Sequence, residues 1–319
     1  MQAFYAKLGF NNANGGMSFH VDSLSPSARL HPLQQHPHFA AALAGINCPV
    51  TEAELPDNGT VQIMERRIWP TQRKLRVVSR GPVWEMPPDD ATQLLAITAL
   101  REARVNIING ECTPAPVMRA AGYRQIMTPA SIAVIDLRST GPFRRAAMTA
   151  KWRNALRKAE HAGLLINVRG YDPAQDHWIL EADARQQRRK GYTALPGHLT
   201  QAYALMNKGQ VTVITATDGQ ATIAAMIFLR HGATATYHIG WTSDAGRLCN
   251  AHNLCLATAM DVLSSQGFET LDLGTVDTEH APGIARFKLG TGARVKRLSG
   301  TWLHLPIFRK MPLAGGAPE

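Results

Sequence analysis

Two segments of the chain combine residue types and spacings that could do chemistry. The first, KWRNALRKAEHAGL, runs from Lys151 to Leu164 and is predicted to be a helix with cationic flanks that ends at a glycine. The second, LDLGTVDTEHAPGIARFKLGTGA, covers residues 271–293. It is predicted to be a strand, a polar loop and then a Phe-Lys pair in a glycine-rich turn. Together the two segments indicate a positioned cation in the site of a transferase.

Composition limits the class of protein. The 319 residues fit two average domains, and 45% apolar and 18% charged residues are typical of a soluble globular chain. No apolar run approaches the roughly 20 residues that span a bilayer, and the amino terminus lacks the apolar core of a signal peptide. Cysteines are scattered without a CxxC pair, which favours reduced core thiols over a disulfide framework or a zinc site. We therefore expect a cytoplasmic protein and no metal site; the cysteines are Cys48, Cys112, Cys249 and Cys255.

The charge balance favours a polyanionic partner. The net charge is +10 and the isoelectric point about 9.8, which suits a nucleic acid, a nucleotide-linked substrate or an anionic lipid surface. The alternative is a basic protein with no such partner. Clustering favours the first interpretation, because basic residues crowd into two stretches: Arg144, Arg145, Lys151, Arg153, Arg157 and Lys158, and then Arg185, Arg188, Arg189 and Lys190.

Helix and strand signals divide the chain near residue 140, and the signals of the first part are roughly repeated in the second. In the second part, Asp172-Pro173 is a strong helix start, and the helix is expected to run to about Lys190. A hairpin is expected around Asp218-Gly219, and a further helix over residues 250–266. The predicted order is β-α-α-β-β-β-α-β-loop-β. The sequence has no Walker lysine loop and no GxGxxG after an early strand, so P-loop and Rossmann folds are disfavoured.

That order is the order of the GNAT acyltransferase fold, and the chain resembles the FemABX family of aminoacyl-tRNA-dependent peptidyltransferases. Residues 271–293 resemble the family signature D-x-G-x…P-G-x…F-K-x-G-x-G, which is the most specific match. Weaker similarities lie in PLQQHPHFAAAL, RGPVW, KWRNALRKAEHAGL and RRKGYTAL. The resemblance implies an α/β fold with two GNAT-like modules in tandem, each a mixed central sheet flanked by helices. The expected limits are 1–140 for an acceptor-side module, 141–308 for the module with the catalytic signature, and 309–319 for a tail.

The resemblance also implies the reaction, which is transfer of an aminoacyl group from aminoacyl-tRNA to an amine such as a peptidoglycan precursor. The ester is already activated, so neither a metal nor ATP nor another cofactor is expected. A fixed cation stabilises the oxyanion of such a reaction, and Lys288 is the candidate, with Phe287 packing beside it. The base that accepts the amine's proton is left open. Asp272 and Asp277 are the nearest candidates, with Glu279 and His280 behind them, and the substrate itself is the alternative.

The remaining candidates are substrate-binding residues. Phosphate contacts are expected from the helix that begins near Lys151 and from the end of the following helix, where a ring could stack on a base. A solvated amphipathic face is the alternative for the first of these. The full set is Arg80, Lys151, Arg153, Asn154, Arg189, Lys190, Tyr192, Tyr237, Asp277 and Arg286.

Two other functions stay open. An N-acyltransferase that uses acyl-CoA or an acyl carrier protein would need a glycine-rich pyrophosphate loop, and SDAGRLCNAHNL keeps only Gly246 and Arg247 of that pattern. A non-catalytic RNA- or nucleotide-binding module is the second alternative. The expected partners are tRNA as the donor carrier, a small-molecule or nucleotide-linked amine, and a membrane surface if the acceptor is lipid-linked. The oligomeric state is not predicted.

Overall fold

The structure, a computed structural model, describes residues 30–68, 73–192 and 194–305. Up to residue 136, a short 3-10 turn (Leu33–Gln35) is followed by helices and strands in the order α1 (Pro37–Ala44), β1 (Val50–Leu55), β2 (Gly59–Ile68), β3 (Arg73–Ser79), α2 (Asp90–Glu102), β4 (Ile107–Gly110), α3 (Ala115–Ala120), β5 (Arg124–Met127) and β6 (Ser131–Asp136).

Between residues 137 and 210 the described residues form four helices and one strand, and six further strands follow. The order is α4 (Gly141–Ala147), α5 (Ala150–Glu160), β7 (Leu165–Gly170), α6 (Pro173–Lys190), α7 (Gly197–Met206), β8 (Val211–Thr217), β9 (Thr222–His231), β10 (Thr234–Thr242), α8 (Asp244–Leu248), α9 (Ala251–Ser265), β11 (Thr270–Val276), α10 (Pro282–Gly290), β12 (Arg294–Arg297) and β13 (Gly300–Leu303). Among all the residues that the structure describes, no helix combines the length and the apolar character that crossing a bilayer requires.

The described residues form two units, each with its own mixed sheet. The smaller unit comprises 49–129 with 298–305, and its strand order is β1-β2-β3-β4-β13-β5. The larger unit comprises 30–48 with 130–297, and its order is β12-β6-β11-β10-β9-β8-β7. In each sheet one neighbouring pair is parallel, β3–β4 and β10–β11, and the other neighbours are antiparallel. Two mixed sheets with flanking helices confirm the predicted fold class.

Each sheet includes one strand from a distant part of the sequence. β13 lies between β4 and β5 in the smaller unit, and β6 lies between β11 and β12 in the larger unit. The units defined by contacts therefore differ from the predicted limits 1–140 and 141–308, because strand pairing across more than a hundred residues leaves no local signal. The predicted tail 309–319 lies outside the described residues.

Packing of α5 and α9 against one face of the larger sheet forms the core that supports the site. α9 contributes Cys255, Leu256 and Ala259, all fully buried. α5 contributes Trp152 and Leu156, four residues apart and therefore on one helix face. Apolar strand residues of β8, β9 and β10 complete this cluster. The charged face of α5 consequently points away from the core, as the amphipathic pattern predicted.

One predicted element is wrong. The segment around the Phe-Lys pair was expected to be a loop and a glycine-rich turn, whereas it forms helix α10. Pro282 occupies the first helical turn, where its missing N–H is not needed and its φ is already suitable. Phe287 and Lys288 are therefore adjacent residues on a helix, and their side chains leave it in different directions.

Candidate functional site

The parallel strands β10 and β11 part after only three paired residues. Their ladder joins Thr234 to Thr270 and ends at Thr236 and Asp272, although both strands continue further. A register shift follows at Tyr237–Ile239 in the β9–β10 ladder, and another between Asp272 and Thr275 in the β11–β6 ladder. The carboxyl ends of parallel strands are a common place for ligands, and polar side chains collect here.

The gap that forms where β10 and β11 separate is called the opening below. Lys288 places a buried cation beside it. Its side chain leaves α10 toward β11, where Nζ donates a hydrogen bond to the carbonyl oxygen of Thr275 at 2.8 Å. The residue is only 8% exposed. Burial lowers the pKa of Lys288 to about 8, and the nearby Asp272 carboxylate opposes that shift. Among the described residues the ammonium is thus held in one place by one hydrogen bond and has further N–H donors, as stabilisation of an oxyanion requires.

Asp272 supports this arrangement from the last position at which β11 pairs with β10. Oδ1 accepts a hydrogen bond from the backbone N–H of Gly274 at 2.7 Å, and the side chain is almost completely buried. Gly274 has a φ of +75°, and a Cβ atom there would lie 3.7 Å from Nζ of Lys288. The carboxylate therefore braces the turn next to the lysine. Its role as a base stays a prediction.

Aromatic rings hold α10 in register with α5 and α9. The indole N–H of Trp152 donates to the carbonyl oxygen of Phe287 at 3.1 Å, and the two ring centroids are 6.1 Å apart. The His252 ring lies 5.7 Å from the Phe287 ring on the other side. Gly290 lets the helices approach, since a Cβ atom there would lie 2.7 Å from Trp152. We conclude that Gly290 and Phe287 serve the packing of α10 against α5 and α9.

Tyr237 lies at the bulge where β10 leaves β11. Its hydroxyl oxygen and Cε1 of His252 both lie within 3.3 Å of the position that a Cβ atom of Gly240 would take, so they are neighbours. Burial raises the pKa of Tyr237, and Tyr192 and Asp183 raise it further. Tyr237 thus connects the Phe287 side of the opening to the carboxyl-terminal half of α6.

Asp183 on α6 was not predicted from the sequence. It is 7% exposed, its Oδ2 accepts from the Gln187 amide at 2.6 Å, and its Oδ1 accepts from the Tyr192 hydroxyl at 3.3 Å. Gln186 also donates to the Tyr192 oxygen, at 2.9 Å. Burial raises the pKa of Asp183. A signal was available in the sequence, because Asp183 falls on the helix face of the apolar Ile179, where a carboxylate is out of place.

Three cations lie near one another around the start of α9. Burial lowers the pKa of Lys190 at the end of α6, and the neighbouring positive charges of Arg247 and Arg189 lower it further. Arg247 and Lys190 also help to lower the pKa of His252, for which burial is the main cause and the resulting value is about 4. Asn250 precedes α9 in a left-handed conformation and its side chain does not cap the helix. Cations next to a helix start favour an anion.

Other predicted site residues lie apart from this group. Lys151 and Asn154 are exposed on α5. The Arg153 guanidinium donates to the carbonyl oxygens of Ala146, at 3.0 Å, and of Met148, so it caps the end of α4. The structure therefore gives Arg153 a structural contact that the sequence did not predict.

Asp277 and Arg286 are exposed on either side of α10's start. The Asp277 carboxylate accepts from the backbone N–H groups of Glu279 and His280, which lowers the pKa of Asp277. The choice of base between Asp272 and Asp277 stays a prediction. Arg286 remains a candidate for contact with a substrate.

Arg80 belongs to the smaller unit and is buried there. Its Nε and Nη2 atoms donate to the two carboxylate oxygens of Glu111 at 2.5 and 3.0 Å, and the residues are 8% and 5% exposed. Arg80 also has a φ of +57°, which is unusual for a residue with a side chain. The predicted substrate-binding cation is thus committed to a buried ion pair.

Comparison with known proteins agrees with this geometry. Residues 146–292 match the family model of the acetyltransferase (GNAT) domain, and no curated protein matches the sequence. The chain is similar in structure to FemX, with a TM-score of 0.69 and 13% identity over 86% of this chain and 93% of that one. It is also similar to the carboxyl-terminal domain of a putative lysylphosphatidylglycerol synthetase from Agrobacterium fabrum, with a TM-score of 0.55 and 14% identity over 86% and 90%.

A third solved structure, L-PGS from Bacillus licheniformis, superposes with a TM-score of 0.51 and 12% identity over 86% of this chain and 92% of that one. At these identities the superpositions establish the fold, and the family model identifies the domain that contains Lys288. The fold expected from the FemABX resemblance is therefore confirmed: residues 146–292 match the acetyltransferase (GNAT) domain, and the chain has a FemX-like fold.

Proposed function

We propose that this acyltransferase moves an aminoacyl group from aminoacyl-tRNA to an amine, such as that of a peptidoglycan precursor. One observation carries the proposal: Lys288 holds a buried ammonium at the point where β10 and β11 separate, fixed by Thr275 and close to Asp272. Acyl transfer needs a positive charge at a fixed point where an oxyanion develops, and this arrangement supplies one without a metal.

The reaction begins when the neutral amine attacks the ester carbonyl carbon. A C–N bond forms and the carbonyl π electrons move to oxygen, where the Lys288 ammonium stabilises the negative charge. The C–O bond to the tRNA ribose then breaks as the carbonyl re-forms. The proton that nitrogen loses ends on the departing ribose oxygen, so no net proton is consumed. Asp272 keeps the lysine protonated, because its negative charge opposes the effect of burial on the pKa of Lys288.

Charge supports a donor that carries phosphates. Arg189 and Arg247 lie close enough to Lys190 to help lower its pKa, which burial lowers most, and the chain carries a net charge of +10. These are the features that neutralise a nucleic-acid backbone. A structural relative is described as a putative lysylphosphatidylglycerol synthetase, so a protein of this fold is already associated with a lysyl-bearing product. A lipid-linked acceptor would add contact with a membrane surface.

A second candidate, N-acyl transfer from acyl-CoA, is supported by a different observation. The start of α9 has no side-chain cap, and Asn250 adopts there the left-handed conformation that favours glycine. The backbone N–H groups of such a helix start and the cations beside it would suit a pyrophosphate. The sequence lacks the full glycine pattern of such loops, so the aminoacyl-tRNA donor is preferred.

Donor consumption separates the candidates. The purified protein is incubated with mixed charged tRNAs, and separately with acyl-CoA, each with an amine acceptor. Release of uncharged tRNA with formation of an amide supports the proposal, and release of free CoA supports the second candidate. Lys288→Met serves as the control in both arms. Binding of either donor without turnover would identify a non-catalytic RNA- or nucleotide-binding module and refute both.

A further inference from the structure

Helix α6 carries two buried carboxylates on one face, and only one of them is neutralised. Asp176 and Asp183 are seven residues apart, which places them two turns along the same side of the helix. They are 0% and 7% exposed, respectively. The contrast between their partners distinguishes a structural carboxylate from one that is available to a ligand.

Asp176 has the partners of a structural residue. Arg169 on β7 contacts both of its oxygens at 2.5 Å, and the backbone N–H of Asp172 donates to Oδ2 at 2.8 Å. A bidentate guanidinium and a backbone amide together satisfy the charge and most of the acceptor capacity. This carboxylate fastens the start of α6 to the neighbouring strand.

Asp183 hydrogen-bonds only to neutral groups in the part of the chain that the structure describes. Its donors are the Gln187 amide and the Tyr192 hydroxyl, one to each oxygen, and no ion pair to it is found among these residues. A carboxylate accepts about four hydrogen bonds, so capacity remains. Burying a charge without a counter-charge is costly, and such groups cluster at functional sites.

The surroundings of Asp183 suit a small organic cation. The titratable groups that face it are the phenols of Tyr192, from the segment after α6, and Tyr237, from β10; Gln186 and Gln187 are the polar neighbours on its own helix. Phenol rings are also good neighbours for an ammonium group. Tyr237 in turn lies beside His252, whose ring packs on Phe287. A cation at Asp183 would therefore lie along the wall that leads to Lys288.

We infer that Asp183 binds a primary ammonium group of a substrate and supplies the negative charge that Tyr192 and Tyr237 enclose. The inference rests on the proposed function, which offers two sources for that group: the α-ammonium of the aminoacyl donor, or the acceptor amine before it loses its proton. It narrows the substrate class to molecules with an N–H-bearing cation near the reacting carbon.

The first test needs no activity. Thermal unfolding of the full chain is followed with n-butylammonium chloride, and with tetramethylammonium chloride and sodium chloride at equal concentration. Only butylammonium should raise the midpoint of the parent protein, because only it offers N–H donors. The rise should vanish in Asp183→Asn and persist in Glu181→Gln, a variant of an exposed carboxylate on the same helix. Equal shifts in the parent and Asp183→Asn would overturn the inference.

Stability without a ligand provides a second, independent reading. Asp183→Asn should be at least as stable as the parent, since it removes an uncompensated buried charge, whereas Asp176→Asn should be clearly less stable, since it leaves Arg169 unpaired.

In the parent, butylammonium protection should also weaken as the pH falls and the Asp183 carboxyl becomes protonated. Loss of stability in Asp183→Asn equal to that in Asp176→Asn, together with pH-independent protection, would show a purely structural role.

Kinetics identify the source of the ammonium. If it is the donor, Asp183→Asn should lower kcat/KM for aminoacyl-tRNA by about 10- to 100-fold, the loss expected for a hydrogen-bonded charge pair, and should leave kcat/KM for the N-formylated donor unchanged. If the ammonium belongs to the acceptor, the KM of the amine should rise, and the rate should fall equally with the aminoacyl and the N-formylated donor. Unchanged kinetics would count against the inference. Butylammonium protection that depends on Asp183, in a protein with no turnover from any donor, would refute the proposed function alone.

Discussion

Replacement of Lys288 by methionine tests the central chemistry, because methionine fills a similar volume without charge. The lysine is buried and its ammonium is fixed on Thr275. Removing one preorganised donor from an oxyanion site typically lowers kcat by about 10²- to 10³-fold. We expect a loss of that size for Lys288→Met with the fold intact. Substrate binding should change much less, because the oxyanion exists only after the amine has attacked.

The pH dependence follows from the pKa of Lys288, which burial lowers to about 8. If the lysine stabilises the oxyanion it must be protonated, so kcat/KM should fall as the pH rises through about 8. Lys288→Arg keeps its charge above this range, and the fall should then move to higher pH. If Lys288 were instead the base, activity would rise through the same range. Whether kcat/KM falls or rises with pH in this range therefore decides between the two roles.

As the pH rises, the free energy of unfolding should increase while kcat/KM falls. The pKa of Lys288 is about 8 in the folded chain against 10.5 for an ordinary lysine, so the unfolded chain holds its proton more tightly. The cost of burial is present in full below pH 8 and is relieved as the pH rises toward 10.5. Each pKa unit corresponds to about 1.4 kcal/mol. Lys288→Met should accordingly gain about 1–3 kcal/mol of unfolding free energy at pH 7, and chemical denaturation would measure it.

A soluble Lys288→Met protein with turnover within about tenfold of the parent would refute the catalytic assignment, since even the weakest oxyanion donors contribute more. A variant that unfolds would be uninformative about catalysis, and for that reason Lys288→Arg and the pH profile are measured beside it. If all three show no effect on turnover, the helix α10 signature serves the fold alone.

Three further outcomes are expected. Burial lowers the pKa of His36 to about 2. As the pH falls below the ordinary value of 6.5, the unfolding free energy should therefore decrease by about 1.4 kcal/mol per pH unit. In urea titrations at about pH 7.5 and about pH 5, His36→Gln should show a smaller difference than the parent. Breaking the buried ion pair with Arg80→Leu should cost about 3–5 kcal/mol; normal stability with lost activity would instead place Arg80 in substrate contact. Reversing Arg189 and Lys190 to glutamate should weaken donor binding and flatten its dependence on salt, whereas Lys208→Glu, at an exposed position, should do neither.

The sequence was a good guide wherever local chemistry decides the structure. Asp172 caps α6 and Pro173 begins it, as the Asp-Pro pair predicted, and the turn at Asp218 joins β8 to β9. The signature around Lys288 identified a residue that the fold does bury beside a gap in the sheet. In each case the information lies within a few residues of the feature.

Features that depend on distant pairing were not predictable in the same way. β6 and β13 pair with strands that lie far away in sequence, so a boundary drawn from helix and strand signals differs from the units that contacts define. Asp183 was missed for a related reason. Its sequence position shows an acidic residue on an apolar face, but only the fold shows that Asp176 has Arg169 and Asp183 has no comparable partner among the described residues.

The two units also show how one fold can give a reactive site in one case and a closed one in the other. Each contains a parallel strand pair joined by three ladder positions. In the smaller unit the residues just beyond the pair β3–β4 are Arg80 and Glu111, which satisfy each other in a buried ion pair. In the larger unit, Asp272 ends the β10–β11 ladder and the cation near it is Lys288, whose ammonium donates to one backbone carbonyl among the described residues and has further N–H donors. A buried cation that is fully paired can only hold the fold together, whereas one that keeps free donors can stabilise a charge that appears during a reaction. For this reason we expect the proposed chemistry in the larger unit.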